Sequence, residues 1–278
     1  MKKLAKLWDW LSRRSFVSRF FLKLFLFTFV FLLVTFPNPV LNIKQINAYS
    51  NTENLFDTDF PELDVINTKI DSLLPDEYTF QDEYKTIIQY IYQNIPYRFD
   101  WDNWGNSEYW PSAAETWRRG CEDCDGRAIL AVAIFRSRGY KDANIIGSMK
   151  HLWIKVGDRE MMGPDTEKVM VMQDGRKKMN MPSLSYMLEA MASQFYYYPI
   201  FRMMIILLTL LVLIYHPAKN IKRLLVLSLA AIVGFVLILD WCSYVSFYED
   251  MKIKAGAIIG SLMVLASFIL AFFSRRFE

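Results

Sequence analysis

Residues 119–130 read Arg119-Gly120-Cys121-Glu122-Asp123-Cys124-Asp125-Gly126-Arg127-Ala128-Ile129-Leu130, and this stretch decides the fold around it. An acidic loop stops at Cys124 and an apolar run begins. Ala128, Ala131, Val132 and Phe135 recur at helical spacing, which predicts a helix over 124–137. Arg136 and Arg138 suit the negative end of its dipole, and Gly139 closes it. Upstream, Tyr84, Ile87, Ile88 and Ile91 predict a helix over 80–94, followed by an extended piece at 95–100. Pro111-Ser112 opens a short helix that ends near Gly120. Downstream, strands are predicted at 143–147, 152–156 and 169–172, then a helix at 183–194. Residues 41–75 read as a polar, acidic lead-in. Helices first and antiparallel strands afterwards define an α+β domain.

The same stretch carries candidate chemistry. Cys124 stands at a helix start, His151 opens the strand 27 residues later, and Asp165 follows 14 residues after that. These are the parts of a Cys-His-Asp nucleophilic site. The chain has two histidines, and His216 lies between apolar segments, so His151 is the candidate base. Asp165 would accept the other imidazole N–H. Glu122, Asp123 and Asp125 oppose a thiolate at Cys124. The helix N-terminus, an imidazolium or a bound cation must outweigh them. Trp101, Trp104, Tyr109 and Trp110 either wall a peptide cleft or fill the core, with Trp104 and Trp110 the substrate-binding candidates. Cys121 and Cys124 also form Cys-x-x-Cys, which leaves a thiol–disulfide module open, although Glu-Asp between the sulfurs disfavours a low thiol pKa. Zinc is disfavoured, with two nearby cysteines and one histidine on offer.

The rest of the chain is apolar and segregated. Of 278 residues 53% are hydrophobic, and four stretches read as membrane spans: 20–36, 203–215, 224–239 and 255–273. The first is interrupted by Lys23. It reads as an uncleaved anchor rather than a signal peptide, because Phe36-Pro37-Asn38-Pro39 offers no small-residue cleavage pattern. The second is short, and the aromatics Phe195 to Tyr198 are expected to extend it into an interfacial belt. Before it, 1–40 form a basic amphipathic segment and the first span, 41–198 an exterior domain, and 199–278 three spans with short loops. Residues 1–40 hold seven Lys/Arg and one acid; Lys219, Lys222 and Arg223 flank the second span, and Arg275 and Arg276 close the chain. With four alternating spans these charges share one side, which the positive-inside rule makes cytoplasmic. Residues 41–198 then face outward, with seventeen Lys/Arg against twenty-four Asp/Glu, a net of −7. Such a surface excludes nucleic acid as a partner.

The order Cys124, Ala128, then His151-x-Trp153, then Asp165 resembles the transglutaminase-like superfamily, a papain-like α+β fold. Ile95-Pro96-Tyr97, Trp104-Gly105, Tyr109-Trp110 and Glu115 look like its bacterial cysteine peptidases, over roughly residues 80–166. The family's Asp-Cys-Glu-Asp reads here Asp123-Cys124-Asp125-Gly126, so one acid has become glycine. Cys121-Glu122-Asp123 matches Cys-Glu-Asp literally, but that register puts Asp125 where the helix needs a small residue. The resemblance implies a central helix on an antiparallel sheet, with Cys124, His151 and Asp165 catalytic through a thioester that passes to water, as in a peptidase or amidase, or to an amine, as in an acyltransferase. It implies no required cofactor, with calcium on Asp123 and Asp125 the one ion suggested. The implied substrates are envelope proteins or peptidoglycan peptides at a bacterial inner membrane, with the bilayer and a membrane protein as partners. The rival expectation is a non-catalytic peptide-binding module of an envelope complex.

Overall fold

The computed structural model describes residues 2–165, 167–173, 176–248 and 254–274. Arg275 and Arg276, used in the charge argument, lie outside the described residues. The chain divides into two compact units, Asn38–Tyr186 and a helical unit of Met1–Pro37 with Met187–Glu278.

In the first unit, local signals become elements directly. Thr79 caps α5 (Phe80–Asn94) and Asp82 returns the bond, a capping box that satisfies two orphan helix donors. Ser112 and Glu115 do the same for α7 (Ala113–Arg119), which ends on Gly120 at φ 71°. Asp123 caps α8 (Cys124–Ser137) by accepting from the Asp125 N–H at 3.2 Å. The predicted helices at 80–94 and 124–137 therefore have the boundaries their patterns gave them.

The sheet has five strands, ordered β3-β2-β1-β4-β5, with every pairing antiparallel. They are β1 (Asn144–Gly147), β2 (Leu152–Val156), β3 (Arg159–Met161), β4 (Met170–Gln173) and β5 (Arg176–Met179). β3 and β5 had no sequence signal: they are short, rich in charge, and held by hairpin pairing to β2 and β4. α8 packs on β2 and β1 and is covered by α4 (Glu62–Leu73), α5 and α7. Residues 128–135 are consequently buried all round, so the predicted one-sided stripe becomes a wholly enclosed helix.

The expected lead-in at 41–75 is folded. It contains α3 (Pro39–Ser50), a 3-10 turn (Thr52–Leu55) and α4, whose Leu63, Ile66 and Ile70 join the main core. Three apolar residues at i, i+3 and i+7 suffice to dock a helix once a partner surface exists. At the far end of α8, Arg138 Nε meets Glu83 at 2.5 Å and Nη1 meets Asp71 at 2.8 Å, while the Tyr140 hydroxyl donates to Glu83 at 2.5 Å. Glu83 is 4% exposed, so its loss takes the buried acceptor from both Arg138 and Tyr140 and leaves Arg138 with the exposed Asp71. Glu83→Leu is expected to cost about 3 kcal/mol in thermal or denaturant unfolding. A loss below about 1 kcal/mol would contradict a buried anchor.

The helical unit holds α1 (Lys2–Ser12), α2 (Phe16–Thr35), α9 (Leu184–Tyr197, which starts at the unit boundary), α10 (Ile200–Tyr215), α11 (Ile221–Tyr248) and α12 (Ala255–Phe273). Three helices are long and apolar enough to cross a membrane: Phe16–Thr35, Ile221–Ser246 and Ala255–Phe273. This is a membrane protein. α10 joins α9 across a bend of 106°, so Phe195 to Tyr198 do not prolong the α10 axis as expected. Pro199, at the N-cap of α10, lacks the N–H that would carry a helix through. α10 nonetheless runs antiparallel to α2: Arg202 reaches the Val34 carbonyl at one end, and Trp8, Ser12 and Lys23 meet His216 and Pro217 at the other. α11 packs on α12 and the two backbones approach closely at Gly234 and Gly260, where a Cβ on either would fall within 2.6 Å of the other's carbonyl.

Candidate active site

Cys124 takes its position from the Asp123 cap and from the packing of α8 on β2. Cys124 is half-buried, and the backbone N–H of Leu152 favours the thiolate. Burial, then the charge of Asp123, outweighs that donor and pushes the thiol pKa up. Leu152, the first residue of β2, directly follows His151.

His151 Nε2 lies 2.7 Å from the Met162 carbonyl. A carbonyl only accepts, so Nε2 carries the proton and Nδ1 is the ring's acceptor. The ring stacks on Trp153 at 6.1 Å. Met162 has φ 72°, the one positive φ among the described non-glycine residues, and this turn conformation aims its carbonyl at the imidazole. Asp165 does not hold that position: its carboxylate accepts from the Tyr186 hydroxyl. The expected His151–Asp165 hydrogen bond is thus replaced by a main-chain acceptor, because the turn after β3 brings Met162 closer to the ring.

A group of carboxylates surrounds the start of α8. Asp100, Glu122, Asp123 and Asp125 offer oxygens within 4.8 Å of one another. Asp100 is 2% exposed and Glu122 0%. Glu122 accepts from Asn103 Nδ2 at 2.8 Å, from Trp104 Nε1 and from the Asp123 N–H at 3.1 Å. Asp100 Oδ2 accepts from the Tyr109 N–H at 2.6 Å, while Oδ1 is buried without a partner. Burial, then the charge of Asp123, pushes Asp100 up to about 10 and Glu122 up to about 8. The same two causes hold Asp125 well above the usual carboxylate range. Four acids this close need protons or a cation. Their all-oxygen donor set and the orphaned Oδ1 fit a hard divalent ion such as calcium. Asp100 and Glu122 extend the pair Asp123 and Asp125 that sequence alone suggested.

Gly126 leaves room for one of these acids. A Cβ there would lie 2.3 Å from Glu122 Cγ and 2.9 Å from Thr116 Oγ1. Glu122 occupies the space that a side chain at 126 would need. The remaining candidates are placed as follows. Trp104 lies half-buried under Arg119, 4.8 Å from its guanidinium, and Trp110 is buried, 5.0 Å from Tyr49, with Nε1 on Glu108 at 2.8 Å. Their indole N–H groups are therefore committed inside the unit. Cys121 is buried with its thiol on Asn103 Oδ1 at 3.2 Å, and both cysteines are free thiols. Asp100, Glu122, the Met162 carbonyl and the Leu152 N–H were missed by sequence reasoning. The density of acids in 100–125 was the one available signal.

No protein-family model matches the chain, and no curated protein or solved structure is similar to it.

Proposed function

We propose that the chain is a membrane-anchored cysteine hydrolase of transglutaminase-like type that cleaves peptide or isopeptide amides in a bacterial envelope. One observation carries the reading: Cys124 starts the central helix, which packs on β2, and His151, the residue before β2, has its tautomer set by Met162. His151 Nδ1 takes the thiol proton, and the thiolate adds to the amide carbonyl. The amine leaves with that proton, and water hydrolyses the thioester. The Met162 carbonyl fills the orienting role expected of Asp165, which accepts from the Tyr186 hydroxyl instead.

Calcium belongs to this proposal as a charge partner held by Asp100, Glu122, Asp123 and Asp125. When bound, it would offset the negative field that opposes the thiolate. The basic N-terminal segment and the Lys219–Arg223 connection support the proposal that their side is cytoplasmic and that the site of this multi-pass inner-membrane protein faces the periplasm. A non-catalytic peptide-binding module is the rival reading, favoured by the raised thiol pKa when no cation is present.

The test treats reduced full-length protein in detergent with a peptide chloromethyl ketone and maps the label by mass spectrometry. Labelling of Cys124 well ahead of Cys121 is expected. Equal labelling of both thiols, or none at Cys124 with calcium present, would sink the hydrolase reading.

A further inference from the structure

α3 buries Leu41, Gln45 and Ala48 inside its own unit and turns Val40, Ile43 and Ile46 outward, where they are 61%, 63% and 64% exposed. Spaced three apart, these side chains form one apolar stripe along the helix. Hydrogen bonds to the rest of the unit hold α3 in that rotation. Gln45 Oε1 accepts from the Trp110 N–H at 2.6 Å. Asn106, itself fully buried, donates to Asn42 Oδ1 at 2.8 Å and accepts from the Asn38 N–H at 3.2 Å. α3 contains no acid, and its one charge, Lys44, is paired with Glu115 at 2.5 Å. It is an apolar face on a segment, 41–198, whose net charge is −7.

α2 ends at Thr35 and α3 begins at Pro39. Four residue steps reach at most about 14 Å. Taken as a span, the 20 residues of α2 rise about 30 Å, the thickness of the hydrocarbon core, so Thr35 stands at its edge. The head-group layer beyond that edge is about 5–7 Å deep, and α3 starts in it or just above it. An apolar stripe on a helix at that depth has the pattern of an interfacial helix, whose apolar face sinks about 5–10 Å into the boundary of head groups and acyl chains. We propose that α3 docks its unit on the bilayer, with Val40, Ile43 and Ile46 in the head-group layer of the leaflet where α2 ends. Three aliphatic side chains that would otherwise stand in water are buried there. Lipid is favoured over a second copy of the chain, because two units of net −7 repel each other. This inference rests on α2 crossing the bilayer and is independent of the proposed hydrolase activity.

The test substitutes the photo-crosslinker p-benzoylphenylalanine for Ile43 or for Ile46 in the full-length protein, reconstituted in vesicles of phosphatidylcholine and phosphatidylglycerol. Both side chains are exposed, so neither change disturbs the core. The control position is Asp158, exposed in the turn before β3, at the sheet edge opposite β5. β5 is the strand that meets α3, through Lys177 Nζ on the Tyr49 carbonyl at 3.4 Å. After irradiation, mass spectrometry is expected to find phospholipid adducts at positions 43 and 46 and none at 158. Crosslinks from 43 and 46 to protein instead of lipid, lipid adducts of equal yield at 158, or no lipid adduct at either position would each overturn the docking surface.

Discussion

Replacing His151 by alanine is expected to slow labelling of Cys124 by about 10²–10⁴-fold, the range of a positioned general base. Asp165→Asn is expected to cost less than about tenfold, because another acceptor already fixes the imidazole. The ranking follows from geometry: Nε2 of His151 is on the Met162 carbonyl at 2.7 Å, whereas Asp165 holds the Tyr186 hydroxyl. In an ordinary Cys-His-Asp site the carboxylate sets the tautomer, and its amide variant presents the wrong partner. A backbone carbonyl cannot be substituted away, so here the tautomer survives side-chain changes. Pseudo-first-order labelling rates of the three proteins, at one pH and one calcium concentration, measure this. Equal damage from both variants would show that a His151–Asp165 pair forms in the working enzyme.

Calcium at one hundred times its dissociation constant is expected to stabilise the full-length protein by about 2.7 kcal/mol. For a chain of this size that raises the unfolding midpoint by about 5–10 °C. Magnesium should do less, since it demands octahedral geometry and keeps its waters. Asp100→Asn separates this account from a merely acidic surface. It removes a carboxyl that must take up a proton to be buried when no cation is bound, so the variant should be the more stable protein in chelator and the less responsive one in calcium. Thermal unfolding with EDTA, magnesium and calcium reads all three values. Identical midpoints in EDTA and calcium, or an Asp100→Asn protein less stable in EDTA, would refute a cation site.

How much was legible depended on whether a feature is local. Thr79 with Asp82 and Ser112 with Glu115 are capping boxes spelled out within four residues, and α5 and α7 begin where they stand. β2 was visible because Leu152, Trp153, Ile154 and Val156 are apolar and buried. β3 was not, since Arg159-Glu160-Met161 becomes a strand by pairing with β2. α4 was hidden among acids although Ile66 and Ile70 are fully buried, because helical spacing of three apolar residues is common in loops too.

The sequence by itself determined that the chain is a membrane protein with an α+β unit, and it nominated Cys124 and His151. These rest on hydrophobic runs, on helix caps and on the scarcity of histidine, all read along the chain. Tertiary structure alone decided who accompanies them. Asp100 and Glu122 reach the acid group from 24 and 2 residues before Cys124, the Met162 carbonyl takes the place expected of Asp165, and Gly126 makes way for Glu122. The physical reason is that sequence patterns report a residue's preference for a face or a helix end. Which buried polar atoms meet is fixed by close packing between distant segments, where every carbonyl and carboxylate must find a partner.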